Sequence, residues 1–407
     1  MKKIYLDNAA TTAVHPEVIK AILPYFTQKF GNASEPHQWG QEAKMAIEES
    51  RRIIANFLGA KPEEIIFTSC ATESINLCHK GFVEAVRSQK GVTPHIITTL
   101  IEHKAVLETC KHLEKLGVAE VTYLPVDKYG LVKIEDLKKA IKPDTILVSV
   151  MYVNNEVGTI EPIREIGQLI KRVNQSLITN HQPPIYFHTD ATQAIQYLDC
   201  DVDKLGVDFL SFTGHKFYAP KGIGGLYVRK GTPLVRQQDG GGQEKELRSG
   251  TENVPYIVGI AKVLQLTINK PASRDSFGMQ QLTTKRITRL RDKLIKGVLE
   301  KIPETILTGH PTIRSPHIAS FCFNGAEGEA ILLRLDAEGI AASSGSACTS
   351  GSLEPSHVLL AMGIPAEVAH GSIRFSLGRE TTEEEIDYVL EKLPKIIKEI
   401  REMAPKL

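Results

Sequence analysis

Thr145-Ile146-Leu147-Val148-Ser149-Val150-Met151 is a nearly continuous apolar run. A run of this kind suits a strand buried on both faces, as in a parallel sheet covered by helices. Working outward, strand patterns stand at 4–6, 64–68, 95–98, 121–124, 185–188 and 208–212. Between them lie amphipathic helical patterns at 41–58, 72–86, 104–116, 136–141 and 162–173. Strand and helix alternate with short turn signals between them, which predicts an α/β domain with a mostly parallel sheet. After about residue 256 the pattern changes. Long helical stretches at 257–266, 279–300, 327–338 and 382–402 surround strands at 317–322 and 372–376, which predicts a smaller α+β domain.

The 407 residues are enough for two domains and a large core. Hydrophobic residues make up 42% and charged residues 24%, so a disordered or fibrous chain is excluded. The net charge of +1 offers no electrostatic footprint for nucleic acid or an acidic membrane. Six scattered cysteines, with no C-x-x-C spacing, form neither a disulfide framework nor a structural zinc site. No signal-peptide pattern opens the chain and no apolar stretch is long enough for a membrane span, so a reducing cytoplasm is the expected compartment.

Candidate chemistry gathers where predicted strands end. Ser211-Phe212-Thr213-Gly214-His215-Lys216 puts a lysine at a strand's C-terminal end, where open α/β sheets bind ligands. A lysine there can form a Schiff base with a carbonyl cofactor, although a lone lysine in a turn is ordinarily solvated. His188-Thr189-Asp190-Ala191-Thr192-Gln193 places a carboxylate and an amide at another strand end. Asp190 suits the ring nitrogen of pyridoxal phosphate and Gln193 its ring oxygen. The same pair also reads as a helix capping box. Thr68-Ser69-Cys70-Ala71-Thr72-Glu73 runs from strand to helix through small and hydroxyl residues, which forms either a phosphate cradle or an ordinary N-cap.

His103 opens a helix and could stack on a planar ring or move protons, or serve a structural role. Asn155 follows the apolar run in Asn154-Asn155-Glu156. Arg374 alternates with apolar residues in Ser372-Ile373-Arg374-Phe375-Ser376 and needs either a structural acid or a substrate carboxylate as partner. Gly240-Gly241-Gly242 and Arg248-Ser249-Gly250-Thr251 suggest a backbone loop closing near a phosphate, across a subunit boundary. Cys348 lies in Ser343-Ser344-Gly345-Ser346-Ala347-Cys348-Thr349-Ser350-Gly351, a run of small residues that cannot pack a core and reads as a surface loop. The other five cysteines, Cys70, Cys78, Cys110, Cys200 and Cys322, read as buried and inert.

Taken in order, these motifs resemble the cysteine desulfurases of the NifS/IscS type, within the class V, fold-type I pyridoxal-phosphate enzymes. The resemblance runs from Tyr5-Leu6-Asp7-Asn8-Ala9-Ala10-Thr11-Thr12 to Arg374-Phe375-Ser376-Leu377-Gly378-Arg379. It implies a fold-type I transferase with a seven-stranded, mostly parallel sheet in a large domain over 15–259. A small domain would join 1–14 to 260–407 and carry the cysteine loop at about 341–354. It implies Lys216 as the Schiff-base lysine, Asp190 on the ring nitrogen, and Gln193 with Asn155 near the ring oxygen and substrate. Ala71, Thr72, Thr213 and His215 would hold the phosphate, joined by Thr251 of the second subunit of a homodimer.

His103 would stack on the ring and act as acid and base, and Arg374 would clamp the carboxylate of L-cysteine. Cys348 would take the sulfur as a persulfide and pass it to an acceptor protein, such as an iron–sulfur scaffold or a tRNA-thiolation carrier. With a scaffold bound, Cys348 would also be a candidate for transient cluster ligation; no other metal site is implied. A selenocysteine lyase and a class V aminotransferase are the neighbouring readings, and a non-catalytic partner-binding relative is the alternative from a different class. The loop cysteine argues against the aminotransferase, which needs no such thiol, and the presence of both Lys216 and Cys348 argues against the non-catalytic relative.

Overall fold

Strands β1 (Ile4–Tyr5), β2 (Ile65–Thr68), β3 (His95–Thr99), β4 (Glu120–Leu124), β5 (Thr145–Ser149) and β6 (Tyr186–Asp190) come first along the chain. Strands β7 (Phe209–Thr213), β8 (Gly224–Val228), β9 (Thr305–Leu307), β10 (Ile318–Phe323), β11 (Ile340–Ala341) and β12 (Ser372–Ser376) follow. They belong to a computed structural model that describes residues 2–90, 93–268, 277–344 and 354–403. Cys348, the expected sulfur acceptor, lies outside the described residues.

Seven strands form one sheet in the order β2-β8-β7-β6-β5-β3-β4. Neighbours from β7 to β4 pair in parallel, and β8 runs antiparallel to both β2 and β7. Successive strand residues point to opposite faces, so each strand feeds two cores. Phe67, Ile97, Val148 and Leu210 enter one core, together with Ile47 and Ile54 of helix Gln38–Leu58 and Ile166 of helix Ile163–Thr179. Their neighbours Ile66, Ile96, Leu147 and Phe209 enter the other, against Val106 and Cys110 of helix Lys104–Lys115. Burial on both faces is why these strands lack polar alternation.

The expected rhythm is present, with differences at the ends. The run at 145–151 forms a strand only as far as Ser149, and the helix expected to end at Val173 continues to Thr179. β8 was not expected, because Gly224 and Gly225 open it and carry no strand preference.

The remaining strands form a three-stranded antiparallel sheet, β12-β10-β9, and a parallel pair, β1-β11. Ile4 and Leu6 pack there with Phe321, Phe375, Leu294 and Leu393 in a separate core. The expected domain change at residue 259 falls inside helix Val254–Ile268, whose Ile260, Ala261, Val263 and Leu264 all belong to the first core. Helix Glu383–Met403 runs through Pro394. Proline removes the donor for the Leu390 carbonyl four residues earlier, and Lys301 Nζ donates to that oxygen at 3.2 Å instead. Among the described residues, no helix is long and apolar enough to cross a membrane.

Candidate active site

The C-terminal ends of β2, β3, β5, β6 and β7 open toward a cavity of about 360 Å³, within the range of small-ligand sites. Asp7, Ala9 and Ala10 close it from the N-terminal segment, and Ser343, Ser344 and Arg374 from the smaller sheets. Lys216, His103, Ala71, Thr72, Asn155, Asp190, Gln193, Thr213, His215 and Arg374 all line this one space. Thr251 is exposed and is not among the lining residues.

Lys216 closes a tight turn, Gly214–Lys216, immediately after β7. Its Nζ donates to the carbonyls of Ala9 and Ala10, each at 2.7 Å. Ala9 O also accepts from Gln193 Nε2 at 2.9 Å, and His317 Nε2 contacts Gln193 Oε1 at 3.2 Å. The Ala9 carbonyl thus joins the amine and the amide. Asp190 ends β6 and is buried; its Oδ1 accepts from Thr192 N at 2.9 Å. The capping-box alternative fails, because residues 192–197 form turns rather than a helix and the Gln193 side chain bonds Ala9 O and His317 instead of reaching back to Asp190. Thr192 also lines the cavity, and its Oγ1 is buried without a partner.

His103 caps helix Lys104–Lys115, with Nδ1 accepting from Ala105 N at 3.1 Å. That bond places the proton of the neutral ring on Nε2. Burial lowers its pKa most, with Asp190 opposing and Lys216 reinforcing the shift. His215 is lowered to about 4, by burial first and then by Lys216 and Lys221, and its Nδ1 meets Thr11 Oγ1 at 3.2 Å. Both imidazoles are therefore neutral near pH 7.

Ala71 and Thr72 begin helix Ala71–Asn76, which passes through a π-turn at Leu77–Gly81 into helix Phe82–Lys90. Glu73 on its first turn pairs with Arg248 at 2.7 Å, so the loop holding Gly240 to Thr251 docks at this helix start. Thr213 Oγ1 donates to Ile223 O at 3.1 Å. Arg374 on β12 donates from Nη1 to Asn155 O at 2.8 Å and from Nη2 to Asp7 Oδ1 at 2.9 Å. Its Nε is buried with no partner.

One expectation needs correction. Cys78, Cys110, Cys200 and Cys322 are buried, but Cys70 is half-buried and lines the cavity. It stands at the strand-to-helix turn, where the backbone leaves the sheet too early for the core to cover its side chain. Asp7 and the Ala9 and Ala10 carbonyls were also not singled out. Asp7 had a signal, a carboxylate just after a strand in a run of small residues. Backbone acceptors have none.

Cys78, His79 and His188 bring ligand atoms within 4.8 Å of one another. Both His188 nitrogens contact serine hydroxyls, Ser149 at 2.8 Å and Ser211 at 2.9 Å, so this cluster reads as sheet packing.

A lysine amine, a buried carboxylate and an imidazole share one cavity at the strand ends of an α/β sheet. A model of the family described as aminotransferase class-V matches residues 4–389. "Cysteine desulfurase IscS" of Dictyoglomus turgidum is 49% identical over 404 residues, covering 99% of this chain and 97% of its own. A solved "NIFS-LIKE PROTEIN" superposes with a TM-score of 0.87 at 39% identity, covering 98% of this chain and 100% of that one. The structure described as "SspA in complex with cysteine" gives a TM-score of 0.77 at 35% identity, covering 93% and 100%. The chain belongs to the aminotransferase class-V family and, within it, to the cysteine desulfurases of the NifS/IscS type.

The residues present fit the cofactor of that family. Lys216 offers an amine to an aldehyde, Asp190 a carboxylate to a pyridinium nitrogen, and His103 a neutral ring face. The unpartnered Thr192 hydroxyl and the helix start at Ala71 offer donors for anionic oxygens.

Proposed function

We propose that this enzyme is a cysteine desulfurase that binds pyridoxal 5'-phosphate and converts L-cysteine to L-alanine and a persulfide on Cys348. One observation carries this reading. The Lys216 amine, the Asp190 carboxylate and the carboxylate-seeking Arg374 converge on one cavity, in a chain of the cysteine desulfurase family.

Bound there, the cofactor would supply an electron sink for negative charge at the substrate's Cα and Cβ. Lys216 would anchor it and move a proton at Cα. Asp190 would keep the ring nitrogen protonated, with Gln193 and Asn155 on the ring-oxygen and substrate side. Ala71, Thr72, Thr213 and His215 would hold the phosphate, with Thr251 reaching in from the second subunit of a homodimer. His103 would cover the ring and hold or give a proton at Nε2. Arg374 would take the cysteine carboxylate through its buried, unpartnered Nε. The Cys348 thiolate would attack the substrate sulfur. A sulfur–sulfur bond forms as the carbon–sulfur bond breaks, and the electron pair left on carbon takes a proton to give alanine.

In this reading residues from 15 through helix Val254–Ile268 form the cofactor-binding unit, and 1–14 with the chain after that helix the unit bringing Arg374 and Cys348 to it. The persulfide sulfur goes to an acceptor protein in the cytoplasm, for iron–sulfur assembly or tRNA thiolation. The test is to load the purified protein with pyridoxal phosphate, add L-cysteine and reductant, and measure alanine and sulfide together. Equal yields are expected, with Cys348→Ser losing both. A loaded protein that forms no alanine, or a Cys348→Ser variant that keeps full turnover, overturns the reading.

A further inference from the structure

On one side of Cys348 in sequence, Ser343 bonds to Arg374 of the cavity wall, and on the other, Ser356 and His357 bond to the residues next to Asn155 and His103 of that wall. On the near flank, Ser343 and Arg374 exchange backbone bonds of 3.1 and 2.6 Å. On the far flank, the Ser356 hydroxyl donates to Glu156 Oε2 and accepts from Leu359 N at 3.3 Å, capping helix His357–Ala361. His357 Nε2 contacts the carbonyl of Glu102, the residue before His103, at 3.0 Å.

Glu156 is an unusual choice for a mere anchor. It is only 6% exposed, and an ionised carboxylate is costly to bury. Burial pushes its pKa up to about 7 against the pull of Ser356 and Arg374. Its backbone is also fixed. Asn154 Oδ1 accepts from Glu156 N at 2.9 Å and from Val157 N at 3.0 Å, while Asn154 Nδ2 donates to Ile101 O at 3.0 Å. Asn155, one residue earlier, accepts from the Arg374 guanidinium. One rigid turn therefore meets the carboxylate-binding arginine with Asn155 and the far flank of the cysteine segment with Glu156.

We propose that Glu156 is a positioning residue for sulfur capture: through Ser356 it fixes the start of helix His357–Ala361, downstream of Cys348, against the turn that meets Arg374. The proposal rests on the reading of Cys348 as sulfur acceptor. It separates two functions of one turn, because losing the Ser356 contact should slow sulfur capture without weakening cysteine binding.

The experiment compares Glu156→Ala, Glu156→Gln, Ser356→Ala and the double alanine variant. Persulfide on Cys348 is followed by mass spectrometry in a single turnover of the loaded enzyme, and cysteine affinity by spectral titration. Either alanine change is expected to slow persulfide formation about tenfold, the scale of a misplaced reacting group, while cysteine affinity stays within about twofold. The double variant should be no slower than either single one. Glu156→Gln, whose amide oxygen still accepts the Ser356 hydroxyl, should keep at least about half the rate.

Amide exchange over His357–Ala361, measured without cofactor, should quicken in both alanine variants and not in Glu156→Gln. Equal loss of affinity and rate, an unchanged rate, or effects that multiply in the double variant overturns the proposal. A parent enzyme that forms no persulfide on Cys348 overturns the Cys348 reading and the proposal with it. The exchange data separate that failure from loss of the Glu156–Ser356 contact.

Discussion

Arg374 Nη2 lies 2.9 Å from Asp7 Oδ1, while the buried Nε of the same guanidinium meets no acceptor. Asp7 and the Asn155 carbonyl therefore hold the two Nη atoms and leave Nε for an incoming carboxylate. Lysine in this place keeps the charge but lacks the planar fork that reaches all three. Arg374→Lys is expected to lose about 1.5–3 kcal/mol of carboxylate binding, a rise in KM for L-cysteine of roughly 10–150-fold with a smaller change in kcat. Steady-state kinetics check this, and an unchanged KM would remove Arg374 from the substrate site.

Lys216 Nζ donates to two carbonyls at 2.7 Å, which holds it against the N-terminal segment. Lys216→Ala removes both the amine that joins the cofactor and the group that moves the Cα proton. Turnover is expected to fall by about 10²–10⁴-fold or more, with loss of the visible absorption of the lysine-bound cofactor. Retention of that absorption together with turnover would show that another amine does the work.

How much of this was legible depended on what each feature asks of a side chain. Strands buried on both faces announce themselves through apolar runs, so β5 and β7 were readable to within about two residues. Lysine, aspartate, histidine and arginine at strand ends stand out by type, and Lys216, Asp190, His103 and Arg374 do line one cavity. The Ala9 and Ala10 carbonyls were invisible, since any residue supplies a carbonyl. Glu156 looked like part of a polar turn because its hydrogen-bond partner Ser356 stands two hundred residues away in sequence. β8 was missed because it is chosen for the absence of side chains at its start, which weakens the strand signal.

Gly224 shows why. It pairs with both Thr68 and Thr213, and a Cβ there would lie 2.7 Å from the Cys70 carbonyl carbon and 2.8 Å from Phe212 O. Both neighbours are backbone, so neither can swing aside. Gly224→Ala should push apart the strand ends that carry the helix start at Ala71 and the turn to Lys216. A loss of about 1–3 kcal/mol is expected from overpacking, with weaker cofactor retention. Thermal unfolding and a cofactor-release assay measure the two effects, and a variant matching the parent in both would mean that the strands relax freely.

Glu102 provides a pH signature. Its Oε1 accepts from Thr99 Oγ1 and Met151 N, each at 2.9 Å, while Oε2 is buried without a partner. Burial pushes the carboxyl up to about 8, against an unfolded value near 4.5. Between those values the folded chain keeps a proton that the unfolded chain has lost, so this group's contribution to stability declines as pH rises from about 4.5 to about 8. Glu102→Gln preserves the accepting oxygen and removes the titration. The variant should match the parent near pH 5 and exceed it near pH 8.5 by on the order of a few kcal/mol. Denaturant midpoints measured across that range decide the matter: parallel curves for parent and variant would mean that Glu102 is already ionised in the folded enzyme.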